Sequence, residues 1–245
     1  MITGYFTPEW WAALLKIIGI DIVLSGDNAV VIALACRSLP PSQKRLGVLF
    51  GTAGAVFLRV VLIFFVGFLM NFPFLKLVGA LLLLWIGIKL ILPEDQHGPN
   101  ISHNDNLMAA VRTIIIADFV MSLDNVIGIA GAAHGDMGLI IIGLLISIPI
   151  IVFGSQVIMK VMDRFPMIIT IGGALLGYVA GEMAVTDRIV AEWVKANANY
   201  LHYLVPIFGA IFVVVVGKWL ASRRPVSTAP LVNLATEDSA SDAKR

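Results

Sequence analysis

IDIVLSGDNAVVIALA (residues 20–35) and ADFVMSLDNVIGIAGA (residues 117–132) are two copies of one pattern set 97 residues apart. In that register Asp21 meets Asp118, Ser25 meets Ser122, Asp27 meets Asp124 and Asn28 meets Asn125. Four polar identities inside otherwise apolar stretches mark an internal duplication. With short gaps the register continues: Gly51 aligns with Gly143, Pro73 with Pro166, Gly79 with Gly172, and Lys89 with Glu182.

The chain around these copies is built for lipid. Of its 245 residues 59% are apolar and only 13% are charged, where soluble domains carry about 25% charged residues. So few charges cannot cover a water-facing surface, which excludes a soluble enzyme, a nucleic-acid binder and a disordered chain. A net charge of +1 points to no charged partner, and a lone cysteine, Cys36, excludes both an internal disulfide framework and a thiolate cluster.

A helix needs about 20 apolar residues to cross the hydrocarbon core. Seven such runs are expected, at about 10–35, 46–69, 73–92, 113–133, 138–159, 166–185 and 204–221. Each repeat unit then holds three spans (10–92 and 113–185), and the helix at 204–221 lies outside the duplication. Three is odd, so the second unit must sit upside down relative to the first. The fold class is therefore an all-α polytopic membrane protein: two inverted three-helix repeats plus a C-terminal helix, in one transmembrane domain spanning 1–221. Residues 222–245 read as a disordered tail, and 93–112 as the longest cytoplasmic loop. Residues 186–203 read as an interfacial helix with Ile189, Trp193 and Ala196 on one face.

Trp10 and Trp11 form an aromatic belt, and Lys16 and Asp21 interrupt the first run, which argues against a cleaved leader. Ten basic residues flank one side of the bundle (Arg37, Lys44, Arg45, Lys89, Arg112, Lys160, Arg164, Lys218, Arg223, Arg224), against three on the other (Lys76, Arg188, Lys195). The positive-inside rule places the N-terminus outside and the C-terminus in the cytoplasm.

An ionisable residue within a span is a functional candidate because it is costly there. Five acids fall in spans: Asp21, Asp27, Asp118, Asp124 and Glu182. Lys16 and Lys89 lie near span ends, and Arg59 sits mid-span, where it is expected to neutralise one acid. The remaining acids call for protons or bound cations. Asp21, Ser25 and Asn28 share one helical stripe, while Asp27 is rotated by about 120°. Gly26 weakens the helix beside Ser25 and predicts a break that swings Asp27 toward the stripe. Leu123 at the equivalent position predicts a less marked break in the second copy. The donors are carboxylates, amide oxygens and hydroxyls, a hard-oxygen set suited to Mn²⁺, Mg²⁺ or Ca²⁺. Interhelical bonding alone would be served more cheaply by Asn, Ser or Thr than by four aspartates. Glu182 and Lys89, related by the repeat, read either as a structural ion pair or as proton-coupling groups. His97, His103, His134 and His202 lie in loops or at interfaces, and the His97/His103 pair reads as solvated.

SGDNAVVIA (25–33) and ADFVMSLDNVIGIAG (117–131) resemble the paired Asp-Asn signatures of the TerC family of integral membrane proteins, and its shorter, seven-helix, YjbE-type bacterial branch in particular. That family is similar in turn to the LysE-type transporters, with their three-plus-three repeat. The resemblance covers roughly residues 10–220. It implies metal-ion efflux, with Mn²⁺ export foremost and an older association with tellurite resistance. It carries Asp21, Asp27, Asn28, Asp118, Asp124 and Asn125 over as metal-site positions.

The expectation is therefore a secondary transporter, not an enzyme. It exports divalent cations, Mn²⁺ favoured with Ca²⁺ and Mg²⁺ as alternatives, from the cytoplasm across the bacterial inner membrane. No cofactor is bound permanently, and the partners are metal ions, protons and the bilayer, with a homo-oligomer left open. Outward movement of a divalent cation against 100 mV costs about 4.6 kcal/mol. No Walker motif is present, so inward proton flux is the natural source, with Ser25, Ser122, Glu182, Arg59 and Lys89 as accessory or proton-coupling candidates. Two other classes compete: a scaffold assisting metal loading or assembly of exported proteins, and an intramembrane aspartyl protease using Asp27 and Asp124 as a dyad.

Overall fold

The computed structural model describes residues 7–24, 26–69, 72–92, 103–132 and 136–223. Among them are nine helices and no strand: α1 (Pro8–Leu24), α2 (Gly26–Cys36), α3 (Pro41–Leu69), α4 (Leu75–Ile91), α5 (His103–Ala132), α6 (Met137–Arg164), α7 (Met167–Thr186), α8 (Arg188–Asn197) and α9 (Leu201–Arg223).

Five of these, α3, α5, α6, α7 and α9, contain stretches long and apolar enough to cross a bilayer. The pair α1–α2, bent by 45°, makes a sixth when taken as one broken span. The sequence reading expects seven. The difference lies in the run at 73–92, which folds as the 17-residue α4. At 1.5 Å per residue that helix is about 26 Å long, short of a hydrocarbon core of about 30 Å.

The bend falls where Gly26 predicts it; Ser25 itself lies outside the described residues. Leu123 takes the place of Gly26 in the second copy, and α5 runs unbroken through it. The expected loop at 93–112 is shortened from its far end, because α5 begins at His103. DNLMAAVR supplies Leu, Met, Ala and Arg, which are strong helix formers. Similarly, α9 extends to Arg223, two residues into the expected tail; residues 224–245 lie outside the described residues.

The starts of α1, α6 and α8 follow capping rules. Thr7 Oγ1 accepts from Trp10 N at 3.3 Å, with Pro8 in the first helical position. Asp136 accepts from Gly138 N at 2.8 Å and Leu139 N at 3.2 Å, capping α6. Asp187 accepts from Ile189 N at 3.0 Å at the head of α8 and also from Leu77 N at 3.3 Å in the first turn of α4. One buried carboxylate thus satisfies orphan amides on two helices. α8 is amphipathic and shows Ile189, Trp193 and Ala196 outward while Val194 is buried.

The packing is reciprocal. α1 and α2 lie on α6, α3 lies on α5, α4 lies on α7, and α9 covers α7 and α4. Close approaches occur at glycines. A β-carbon on Gly51 would collide with Ile114, and one on Gly143 with Ile17; at Gly177 it would meet the backbone of Gly209. Two apolar clusters form the interior. One gathers Trp10, Leu14 and Ile17 with Val126, Ile129 and Leu144. The other gathers α2 with Ile114, Leu83, Ile86 and Leu176. Asp21 and Ser147 fall between the two clusters along the broken helix and α6.

Candidate functional site

The polar residues of the repeat meet where five elements converge. α1 brings Asp21, α2 brings Asn28, α3 brings Arg59, α5 brings Asp118 and Ser122, and α6 brings Ser147. Asp118 and Ser122 are one helical turn apart, so the Ser122 hydroxyl donates to Asp118 Oδ2 at 3.0 Å. Arg59 donates from Nη2 to Asp118 Oδ1 at 2.6 Å and from Nε to Ser122 Oγ at 3.0 Å. Its Nη1 donates to Asp21 Oδ1. Ser147 donates to the other oxygen of Asp21, and Asn28 Nδ2 donates to Asp118 Oδ1 at 2.8 Å.

The whole set is dry: Asp21 is 0%, Arg59 2% and Asp118 4% exposed, with Ser122, Ser147 and Asn28 also buried. Burial of this kind is tolerated only with paired charges and filled hydrogen-bonding capacity. Among the described residues, two carboxylates and one guanidinium leave the network one formal negative charge. The sequence reading gives Arg59 one acid to neutralise; in the fold its planar fork spans two. Asn28 Oδ1 is buried without a hydrogen-bond partner among the described residues.

Asp27 stands apart from this network. It is half-buried in the first turn of α2, accepts from Asn28 N at 2.9 Å, and gains from the positive end of that helix. It lines a cavity of about 250 Å³ together with Val23, Met121, Asn125, Val179, Glu182 and Met183. Glu182 is exposed there and Asn125 buried. The cavity presents two carboxylates and an amide, with a methionine pair as soft walls. It has room for a cation that keeps several waters, each about 30 Å³ in the liquid.

The predicted metal-site residues therefore divide. Asp21, Asp118, Asn28 and Ser122 converge on Arg59, whereas Asp27 and Asn125 meet Glu182 on the cavity. The side chain of Asp124 lies outside the described part, as do Ser25, His97, His134 and the side chain of His103. Among the described residues no three of His, Cys, Asp or Glu converge as a ready ligand set. Lys89 does not join Glu182. It lies over the Trp85 ring at 5.4 Å and lines a separate cavity of about 130 Å³ with Arg37, Ser38 and Asn106. Sequence reasoning missed Ser147 and Asp187. Ser147 carried a signal, a hydroxyl in an apolar span two residues before Pro149; Asp187, near the start of the expected interfacial helix, carried none.

Comparison with known proteins points one way. Residues 6–225 match the model of the integral membrane protein TerC family. The chain is 41% identical over 206 residues to the uncharacterized membrane protein YjbE of Bacillus subtilis, covering 84% of this chain and 94% of that one. It is 23% identical over 238 residues to YkoY of the same organism, covering 87% and 73%. A UPF0053 protein of Haemophilus influenzae is 25% identical over 178 residues, covering 65% of this chain and 75% of its own length. No solved structure matches the chain.

Proposed function

The chain belongs to the TerC family of integral membrane proteins, and from that premise we propose that it exports divalent metal ions, Mn²⁺ favoured, in exchange for protons. The observation that carries the reading is the cavity where Asp27, Asn125 and Glu182 meet beside a buried acidic network. Asp27 and Glu182 together balance one divalent charge, and all three donors are hard oxygens. Asp27 is joined to the network through its neighbour Asn28, which bonds to Asp118, so loading at the cavity is felt by the residues that tie α1, α3 and α5.

The proposed architecture is two inverted units, 10–92 and 113–185, with a seventh helix, 204–221, outside them and the polar tail 222–245 in the cytoplasm. Reciprocal packing supports it: the first helix of each unit lies on the second helix of the other, and the third helices lie on each other. Gly51 against Ile114 and Gly143 against Ile17 is the same contact twice, since 17 and 114 match in the 97-residue register. Rocking of one unit against the other would then expose the site alternately to each side. Basic-residue placement supports an external N-terminus and a cytoplasmic C-terminus in the bacterial inner membrane.

Purified protein in liposomes tests the proposal. Mn²⁺ flux driven by a proton gradient, lost in Asp27→Asn, is the expected result. Absence of flux for Mn²⁺, Ca²⁺ and Mg²⁺ alike would sink it and favour a scaffold. Impermeant thiol labelling of Asn197→Cys and Ser222→Cys in a Cys36→Ala background, from outside and inside respectively, tests the orientation.

A further inference from the structure

We propose that Arg59 is a tethered counter-cation: it occupies the paired carboxylates Asp21 and Asp118 between transport events, and the exported ion must displace it to pass. This inference rests on the exporter reading and adds a second station on the ion's path, the Asp21–Asp118 pair beside the cavity.

The geometry supplies the argument. Asp118 accepts from Arg59, Asn28 and Ser122, and Asp21 accepts from Arg59 and Ser147. With the guanidinium in place its positive charge sits against both carboxylates and keeps a second cation from them. Two acids related by the repeat would repel one another in so dry a site, and Arg59 between them offsets that penalty.

The base itself breaks the repeat. The Gly51–Gly143 register puts Ile151 at the position equivalent to Arg59, so one arginine serves both copies. A second observation points to a cation at the same place. Asn28 Oδ1, 4% exposed by residue, has no partner among the described residues, although the amide nitrogen of the same group already binds Asp118. Asn28 and Asp118 share a small void of about 10 Å³ with Val31, Ile32 and Ile114. Withdrawal of Arg59 would leave two carboxylates, two hydroxyls and this amide oxygen, a hard-oxygen set.

Charge selectivity follows. A monovalent cation brings no more charge than the guanidinium and cannot match its fork of donors. A divalent cation brings twice the charge to the same two carboxylates. The competitor also weakens apparent affinity by the fraction of molecules in which Arg59 holds the site.

Full-length protein purified in detergent is titrated with Mn²⁺ by calorimetry, as wild type, Arg59→Gln and Arg59→Lys. Arg59→Gln is expected to bind Mn²⁺ about tenfold more tightly than wild type. Its binding should also become sensitive to K⁺, which wild type ignores. Arg59→Lys, whose single ammonium cannot span both acids, should gain about threefold. Affinity unchanged or weakened in both folded variants overturns the proposal, because a purely structural arginine predicts that result. If Arg59→Gln folds only when purified with Mn²⁺, the ion has replaced the guanidinium, as expected; if neither variant folds even with Mn²⁺, the proposal fails. Wild type that neither binds nor moves a divalent cation would instead overturn the exporter reading itself.

Discussion

Asp21 and Asp118 hold the same place in the two copies of the motif, and one guanidinium joins them: Arg59 Nη2 lies 2.6 Å from Asp118, and Nη1 donates to Asp21. The acids come from α1 and α5 and the base from α3, so the tie fastens the two helices that carry the motif acids through a residue of a third. Because all three groups are buried, the tie is shielded from solvent and salt. Any motion that separates α1 from α5 has to break it or carry Arg59 along.

The stability of the network should therefore be asymmetric. Asp21→Asn or Asp118→Asn leaves Arg59 with one carboxylate, a neutral pair, and should cost about 1–3 kcal/mol through imperfect hydrogen bonding. Arg59→Met leaves two facing carboxylates without a counter-charge and should cost about 3–5 kcal/mol. Thermal unfolding in detergent with divalent cations removed ranks the three. An arginine variant no less stable than the aspartate variants would show that the acids are balanced by another group.

Asp27 should separate stability from activity. It is half-buried and accepts a local bond from Asn28 N at 2.9 Å, which an asparagine oxygen can still accept. Asp27→Asn should melt within a few degrees of wild type, a stability change of about 0.5 kcal/mol. Proteoliposome Mn²⁺ flux should fall at least about tenfold, equivalent to 1.4 kcal/mol. Full flux in this variant would remove Asp27 from the transport path.

Asp187 makes a prediction with no transport component. Its carboxylate caps α8 through Ile189 N and holds Leu77 N in the first turn of α4. Asp187→Ala should cost about 1–2 kcal/mol and raise amide hydrogen exchange at both ends together, while Asp187→Asn retains part of the protection. Faster exchange at Ile189 but not at Leu77 would mean that the cross-helix bond contributes nothing.

Much of this was legible in the sequence because it is local or periodic. The duplicated Asp-Asn motif, the break at Gly26, the continuous α5 over Leu123 and the outward apolar face of α8 follow from patterns within one or two turns of helix. The site was legible as a set of residues but not as a partition. Asp21 and Asp27 are six residues apart in one motif, yet the bend between α1 and α2 sends one to Arg59 and the other to the cavity with Glu182. Nothing in a one-dimensional pattern fixes where a 45° bend points. Ser147 and Asp187 escaped for the same reason, since their partners, Asp21 and Leu77, lie 126 and 110 residues away. The short α4 escaped because Pro73 and Leu92 look as apolar as its interior, while the left-handed Phe74 (φ 63°) sets where the helix starts and the extended Leu92 (ψ 138°) where it stops.

The two-fold relation between units can be tested by two glycines and the isoleucines they face. A methyl on Gly51 meets Ile114 first at Cδ1, whereas a methyl on Gly143 meets Ile17 first at Cγ2. Both Gly51→Ala and Gly143→Ala overfill a tight helix contact and should cost about 1–3 kcal/mol, by similar amounts if the contacts are the same one repeated. Gly177→Ala should exceed both, because the atoms it meets belong to the backbone of Gly209 and cannot rotate away. The rescues should differ in a way that the atoms dictate. Valine lacks Cδ1 but keeps Cγ2, so Ile114→Val should recover most of the loss in Gly51→Ala, while Ile17→Val should recover little of the loss in Gly143→Ala. Melting temperatures of the five single and two double variants decide it. Equal rescue at both sites, or a Gly177→Ala milder than the other two, would mean that the helices shift as bodies to make room, and that the reciprocal contacts do not hold the two units in register.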